Sequence, residues 1–142
     1  MITVNIKKLH PNAVIPSYAK EGDAGMDLTA VDMITDPAEG IVEYPTGLSF
    51  EIPVGYVGLL FPRSSVSNKS VMLANSVGVV DSGYRGPVSL KFRMLATRQV
   101  AYEVGDRIGQ IVIMPYPKVN FNVVEELSET ERGEGGFGSS GN

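Results

Sequence analysis

Apolar and polar residues alternate along this chain with a period of two, and no stretch longer than about eight residues shows the 3.6-residue period of an amphipathic helix. Ile2, Val4 and Ile6 share one face of a predicted strand from Ile2 to Lys8. Leu48, Phe50 and Ile52 do so from Gly47 to Ile52, and Val88, Leu90, Phe92 and Met94 from Pro87 to Met94. Further strands are predicted over Gly55 to Phe61, Ile108 to Met114 and Lys118 to Val124. Sixteen glycines and nine prolines punctuate these runs, as frequent turns require. The pattern predicts an all-β domain, a sandwich or jelly roll, whose strand order the sequence leaves open. Ile108 to Met114 is apolar on both faces apart from Gln110, which marks a strand buried on two sides or packed against another subunit. A lone glutamine in such a strand needs a hydrogen-bond partner.

At 142 residues the chain is one domain with room for a core. Twelve basic residues against sixteen acidic ones give a net charge of −4, which argues against a broad electrostatic footprint for nucleic acid or an anionic membrane. Phosphate binding, if any, is local. There is no cysteine and one histidine, His10, which excludes disulfides, thiol chemistry and Cys/His zinc sites, and with them a zinc-type nucleobase deaminase. A metal would be a hard ion on oxygen ligands, and magnesium carried on substrate phosphates is its natural form. Neither a signal peptide nor a hydrophobic span is read from the chain, so a soluble, intracellular, cytoplasmic protein is expected.

Three segments carry candidate chemistry. The segment from Arg132 to Gly141 has five glycines among ten residues and contributes almost nothing to a core. Yet it holds an arginine suited to phosphate oxygens, Phe137 with a flat face for a base, and the hydroxyls of Ser139 and Ser140. Composition alone reads it as a disordered linker. In Gly78-Val-Val-Asp81-Ser-Gly-Tyr84-Arg-Gly86, Ser82-Gly83 reads as a two-residue hairpin turn that makes Asp81 and Tyr84 a cross-strand pair on one face. A carboxylate there can take a proton from water and the ring can support a sugar, although turn capping and ordinary packing explain the pair equally well. Phe61-Pro-Arg63-Ser64-Ser65 ends a strand in a fork donor and two hydroxyls, a phosphate-grip composition that a solvated loop also shares. Ala24-Gly-Met-Asp27-Leu-Thr-Ala30 and Gly105-Asp-Arg-Ile-Gly-Gln110 are Gly-Asp turns bordering strands.

In this order and spacing, these five segments resemble the signature of the homotrimeric dUTP nucleotidohydrolases, the dUTPases, across residues 22–141. The motifs are Ala24 to Leu28, Pro62 to Ser65, Asn75 to Gly86, Gly105 to Gln110, and Arg132 to Gly141. The resemblance implies a β jelly-roll body over residues 1–131 and a flexible lid over 132–142, in a homotrimer whose three sites are shared between subunits. It implies hydrolysis of dUTP to dUMP and pyrophosphate, with Asp81 as general base directing water to the α-phosphorus. That reaction limits uracil in DNA and supplies dUMP for dTTP synthesis. Tyr84 under the sugar would exclude a 2′-hydroxyl. Asn75 and the backbone near Val79, Val80 and Ser89 would read the uracil edge. Arg63, Ser64, Ser65 and Gln110 would hold phosphate oxygens, and Asp27 would position waters on a magnesium ion chelated by the triphosphate.

The lid would lay Phe137 over the uracil and bring Arg132, Gly138, Ser139 and Ser140 to the phosphates. Ordering ten residues costs roughly 1–2 kcal/mol each, against roughly 1–3 kcal/mol from one stacked base. Charge-assisted contacts to the triphosphate must therefore supply the remainder, and the lid should close only with ligand.

Two other readings compete. The dCTP deaminases of the same fold resemble Asp-Pro-Gly-Trp where this chain has Asp81-Ser-Gly-Tyr84. They carry a glutamate where Lys91 stands in Leu90-Lys91-Phe92, and an arginine that aligns with Asn68. A nucleotide-sensing regulatory protein would show damage at Asp81, Tyr84, Arg132 or Phe137, and all four are intact. A regulatory protein partner in addition to catalysis leaves no motif in the sequence.

Overall fold

In the computed structural model, which describes residues 1–95 and 101–141, the chain forms nine strands and one short 3₁₀ helix. The strands are β1 (Asn5–Lys8), β2 (Met26–Thr29), β3 (Ile34–Asp36), β4 (Ile41–Glu51) and β5 (Tyr56–Phe61), then β6 (Val71–Leu73), β7 (Gly78–Val80), β8 (Val88–Met94) and β9 (Arg107–Pro115), with the helix Ser64–Asn68 between β5 and β6. All pairings are antiparallel. One sheet runs β1-β4-β8-β6 with β3 also on β4, and the other runs β2-β9-β5-β7. This is the expected all-β architecture.

Alternation builds the core between the sheets. Val88, Leu90 and Phe92 of β8 are buried while Lys91 and Arg93 are exposed, as period-two patterning requires. Burying each large apolar side chain contributes about 1.5–3 kcal/mol. Tyr44, Phe92 and Tyr102 meet edge-on or tilted, with ring centroids 5.7–6.1 Å apart. Burial, outweighing the hydrogen bond the Tyr44 hydroxyl donates to the Tyr102 carbonyl (2.7 Å), pushes the phenol above its ordinary range.

Two bulges break the alternation. Opposite Leu28 and Thr29, β9 carries one extra residue, so Ile108 and Gly109 are both buried in succession. Between Pro45 and Leu48, β4 shifts register against β8. There the buried Thr46 hydroxyl donates to the Val88 carbonyl (2.7 Å), and Gly47 adopts φ 68° where a Cβ would lie 2.7 Å from that of His10. Pro45 falls between the parts of β4 that pair with β3 and with β1, a gap where no strand needs its missing N–H.

Three expectations change. The strand predicted from Gly47 begins earlier, at Ile41. The first strand begins at Asn5, not Ile2. Lys118 to Val124 forms no strand: it pairs with no edge among the described residues and lies exposed, with Val119 at 66% and Phe121 at 89%. The last strand, β9, ends at Pro115. Asn142, the last residue of the expected lid, lies outside the described residues.

Candidate active site

The chain crosses between the sheets twice in succession, and a cleft forms at the crossing. β6 is an edge of one sheet and β7 an edge of the other. The first crossing is a tight turn in which Ser76 N donates to the Leu73 carbonyl (3.1 Å) and Val77 N to that of Asn75 (2.6 Å). Ser76 takes φ 61°, a left-handed conformation that a side-chain-bearing residue adopts at a cost. The second crossing leaves β7 at Asp81 and enters β8 at Val88. Between these turns lies a cleft of about 250 Å³ lined by Asn75, Val79, Val80, Asp81, Tyr84 and Ser89, with Leu60, Gly78, Pro87 and Val88 as its remaining walls. A second hollow of about 300 Å³ adjoins it, sharing Leu60, Asn75, Gly78 and Ser89 and reaching Lys91. The structure therefore gathers six predicted residues in one place.

The predicted hairpin is corrected. Tyr84 N does donate to the Asp81 carbonyl (3.1 Å), closing a turn over Ser82-Gly83. But β7 pairs with β5, whereas β8 pairs with β4 and β6. Neither Ser82 nor Gly83 has the positive φ that a two-residue hairpin turn demands. Asp81 and Tyr84 share the cleft through a turn that changes sheets and not as a cross-strand pair. The Tyr84 hydroxyl donates to the Pro87 carbonyl (2.9 Å). Its ring lies over Gly86, where a Cβ would come within 2.5 Å of the hydroxyl oxygen. Arg85 braces the turn, donating to the Ser82 carbonyl (2.7 Å) and pairing with Glu51 at 3.4 Å. The Asp81 carboxylate is exposed and has no hydrogen-bond or ion-pair partner among the described residues. Among the described residues no strand pairs with the outer edge of β7, which leaves backbone groups there free to meet a ligand.

A second cleft, about 450 Å³ in volume, is lined by Asp27, Arg63, Ser64, Arg107 and Gln110 together with the Ser17–Gly25 loop. Asp27 in β2 is the register partner of Gln110 in β9. Its Oδ1 accepts from Arg63 Nε (2.8 Å) and its Oδ2 from Arg107 Nη1 (3.1 Å). The three side chains are 27–57% exposed, so these pairs add little stability. Their effect is to aim two guanidiniums into one cleft. Gln110 Nε2 donates to the Pro62 carbonyl (3.1 Å), the partner a lone strand glutamine requires. Gly25 is bare because a Cβ would fall 2.2 Å from Gln110 Oε1. Arg107 lies inside the fourth motif, where residue type alone points to no role; its signal is a basic residue spaced to share a carboxylate with Arg63 once the register is known.

Ser65 stands apart from these. It does not line the cleft; its hydroxyl lies 3.4 Å from that of Tyr102. Lys69, at the end of the same 3₁₀ helix, sits 4.9 Å above the Tyr102 ring and donates to the Ala101 carbonyl (3.3 Å). The tail residues also stay outside both clefts. Arg132 Nε donates to the Gly135 carbonyl (2.9 Å), and Phe137 is fully exposed at φ 49°. Gly138, Ser139 and Ser140 line neither cleft. Among the described residues no three His, Asp or Glu side chains converge to hold a metal ion, and no helix is long and apolar enough to cross a membrane.

Two antiparallel sheets carrying a slot between sheet edges and a separate arginine-lined cleft define a β protein equipped to hold a nucleotide. The chain belongs to the dUTPase family, whose model matches residues 11–141. It is 40% identical over 139 residues to the deoxyuridine 5′-triphosphate nucleotidohydrolase of Helicobacter pylori strain P12, covering 97% of this chain and 96% of that one. It is 41% identical over 147 residues to the enzyme of the same name from Escherichia phage T5, covering 97% and 98%. Among solved structures it is similar to a variant of the Staphylococcus bacteriophage 80alpha dUTPase with dUpNHpp, at a TM-score of 0.85 and 30% identity over the whole of both chains. It also resembles a variant dUTPase from phage phi11 of S. aureus, at a TM-score of 0.74 and 26% identity, covering 88% of this chain and 98% of that one. That structure is described as revealing the coordination of a structural Mg(II) ion.

Proposed function

We propose that this chain hydrolyses dUTP to dUMP and pyrophosphate, with Asp81 as general base for water attack at the α-phosphorus. The observation that carries this reading is the single cleft in which Asn75, Asp81, Tyr84 and Ser89 meet. A deoxyribose lying on the Tyr84 ring brings its 5′-oxygen, and the α-phosphorus bonded to it, next to the Asp81 carboxylate. Asp81 takes a proton from water as the water oxygen bonds to phosphorus. The bond from phosphorus to the oxygen bridging the α- and β-phosphates breaks, and pyrophosphate leaves with that electron pair. A ring packed against the sugar leaves no space for a 2′-hydroxyl, so UTP is rejected. Asn75, with a donor and an acceptor on one amide, and the open backbone edge of β7 read the base.

The cleft of Arg63, Ser64, Arg107 and Gln110 holds phosphate oxygens. It shares no lining residue with the nucleoside cleft, and the tail covers neither. Both features support a homotrimer whose sites take the nucleoside cleft from one subunit, the phosphate cleft from another and the tail from a third. In such an assembly the exposed apolar residues of 116–127 gain a partner surface. Magnesium would fit as a passenger on the triphosphate: among the described residues no carboxylate cluster offers it a cage, and Asp27, with each oxygen on a guanidinium, would meet it through water. Bound there it neutralises charge on the phosphates.

The test is product analysis of dUTP, dCTP and UTP with protein and magnesium in water labelled with heavy oxygen. Label in dUMP, unlabelled pyrophosphate and no turnover of the other two is the expected result. Label in pyrophosphate would move the attack to the β-phosphorus. Deaminated dCTP would move the chain to the sister branch.

A further inference from the structure

From Asp81 to Pro87 the chain has no strand partner among the described residues, so this stretch is only as rigid as its own turn and side-chain contacts make it. Gly83 and Gly86 lie within it, and a Cβ at Gly83 would meet nothing within 4 Å, so the tip of the turn is unpacked. Tyr84 has a tie of its own, the hydrogen bond from its hydroxyl to the Pro87 carbonyl (2.9 Å). Asp81 has none: its carboxylate is without a partner among the described residues, and only the backbone of the turn sets where it stands.

One side chain grips that backbone. Arg85 Nη1 donates to the carbonyl of Ser82, the residue after Asp81 (2.7 Å), and to that of Tyr84 (3.2 Å). Nη2 of the same fork reaches Glu51 Oε1 at 3.4 Å. Glu51 closes β4, and its other oxygen accepts from the Nδ2 of Asn5 (2.7 Å), its register partner in β1. A single guanidinium thus joins the turn to the end of two paired strands, which requires donors on separate nitrogens of a planar fork. The Arg85 and Glu51 side chains are 54% and 53% exposed, so the ion pair adds little to stability. What it can supply is position. A hollow of about 410 Å³ lies alongside, lined by Asn5, Lys7, Ser49, Glu51 and Arg85 among others, so the brace faces open space and no packed side chain would take over its task.

From this geometry we infer that Arg85 is a positioning residue for the general base: anchored on Glu51, it holds the Ser82 end of the turn and through it the Asp81 carboxylate. The inference rests on the dUTP reading above and deepens it. It assigns a part in turnover to two strand residues outside every motif, Glu51 and Asn5, which touch neither cleft. Because Tyr84 is tied separately, releasing Arg85 costs the placement of the base more than the seat of the sugar. Misplacing a reacting group by about 1 Å can lower a rate on the order of 10²-fold.

The experiment measures kcat and KM for dUTP, calorimetric affinity for dUpNHpp, and thermal melting on the full chain, for wild type, Arg85→Ala, Arg85→Lys, Glu51→Ala, Asp81→Asn and the Asp81→Asn/Arg85→Ala double variant. Arg85→Ala should lower kcat about ten- to hundredfold, while KM, dUpNHpp affinity and melting barely move. Arg85→Lys keeps the charge without the fork and should recover little of the loss. Glu51→Ala should act in the same direction by a smaller factor, since the grip on the Ser82 carbonyl survives it. In the Asp81→Asn background, Arg85→Ala should lower the residual turnover no further, because it acts through a base already removed; a brace that merely stabilised the fold would lower it again. The inference is overturned if Arg85→Ala leaves kcat unchanged, if its effect falls mainly on KM and dUpNHpp affinity, or if it lowers turnover by the same factor with and without the Asp81 carboxylate. A wild type that does not hydrolyse dUTP would instead overturn the functional reading itself.

Discussion

Asp81 combines two properties that separate its chemical role from its structural one. It is exposed and without a side-chain partner among the described residues, yet it lines the cleft that also holds Tyr84. Asp81→Asn should therefore leave stability within about 0.5 kcal/mol of wild type, while lowering kcat by about 10² or more. Thermal melting and initial rates with dUTP check both halves; near wild-type turnover would remove Asp81 from the role of base. The motif residues were legible because their chemistry is written in residue type and order. Their partnerships were not. Asp27 meets Arg107 across 80 positions of chain, and no local pattern announces that a carboxylate in one strand will seat two guanidiniums. Gly25 and Gly86 illustrate the same limit: each reads as a turn residue, but a neighbouring side chain forbids their Cβ.

At the scale of elements, long strands with one wet face were legible and short ones were not. β8 shows its alternation over seven residues, whereas β3, β6 and β7 have three each, too few to establish a period. On β9 the bulge buries both Ile108 and Gly109, whereas Val112 and Ile113 are half-buried and Met114 is exposed. Lys118 to Val124 has a strand's pattern but no edge among the described residues to receive it. Among the described residues the glycine-rich tail is exposed along almost its whole length, so deleting residues 132–142 should preserve the fold and the assembly while removing most turnover. Sedimentation and steady-state kinetics on the truncated chain check this. Loss of assembly would make the tail structural and not a lid.

For the whole molecule, the separation of the two clefts predicts that no chain acts alone. Asp81→Asn protein with its tail, and protein ending at residue 131 with its Asp81, should each be nearly inactive. Unfolded together and reassembled at equal amounts, they should recover activity at about a quarter of sites, as independent contributions from different subunits of a closed ring require. No recovery in any mixture would place base and tail on the same subunit. One feature of the fold reaches further. The turn from Asp81 to Val88 is where the chain passes from the second sheet to the first, so whatever is gripped between Tyr84 and Ser89 spans the seam of the sandwich. A nucleotide seated there acts as a clasp, and the ease with which the two sheets part at that end becomes a gauge of occupancy. Amide exchange in β6, β7 and the start of β8 should slow with ligand well before exchange at the far edge, β1, responds.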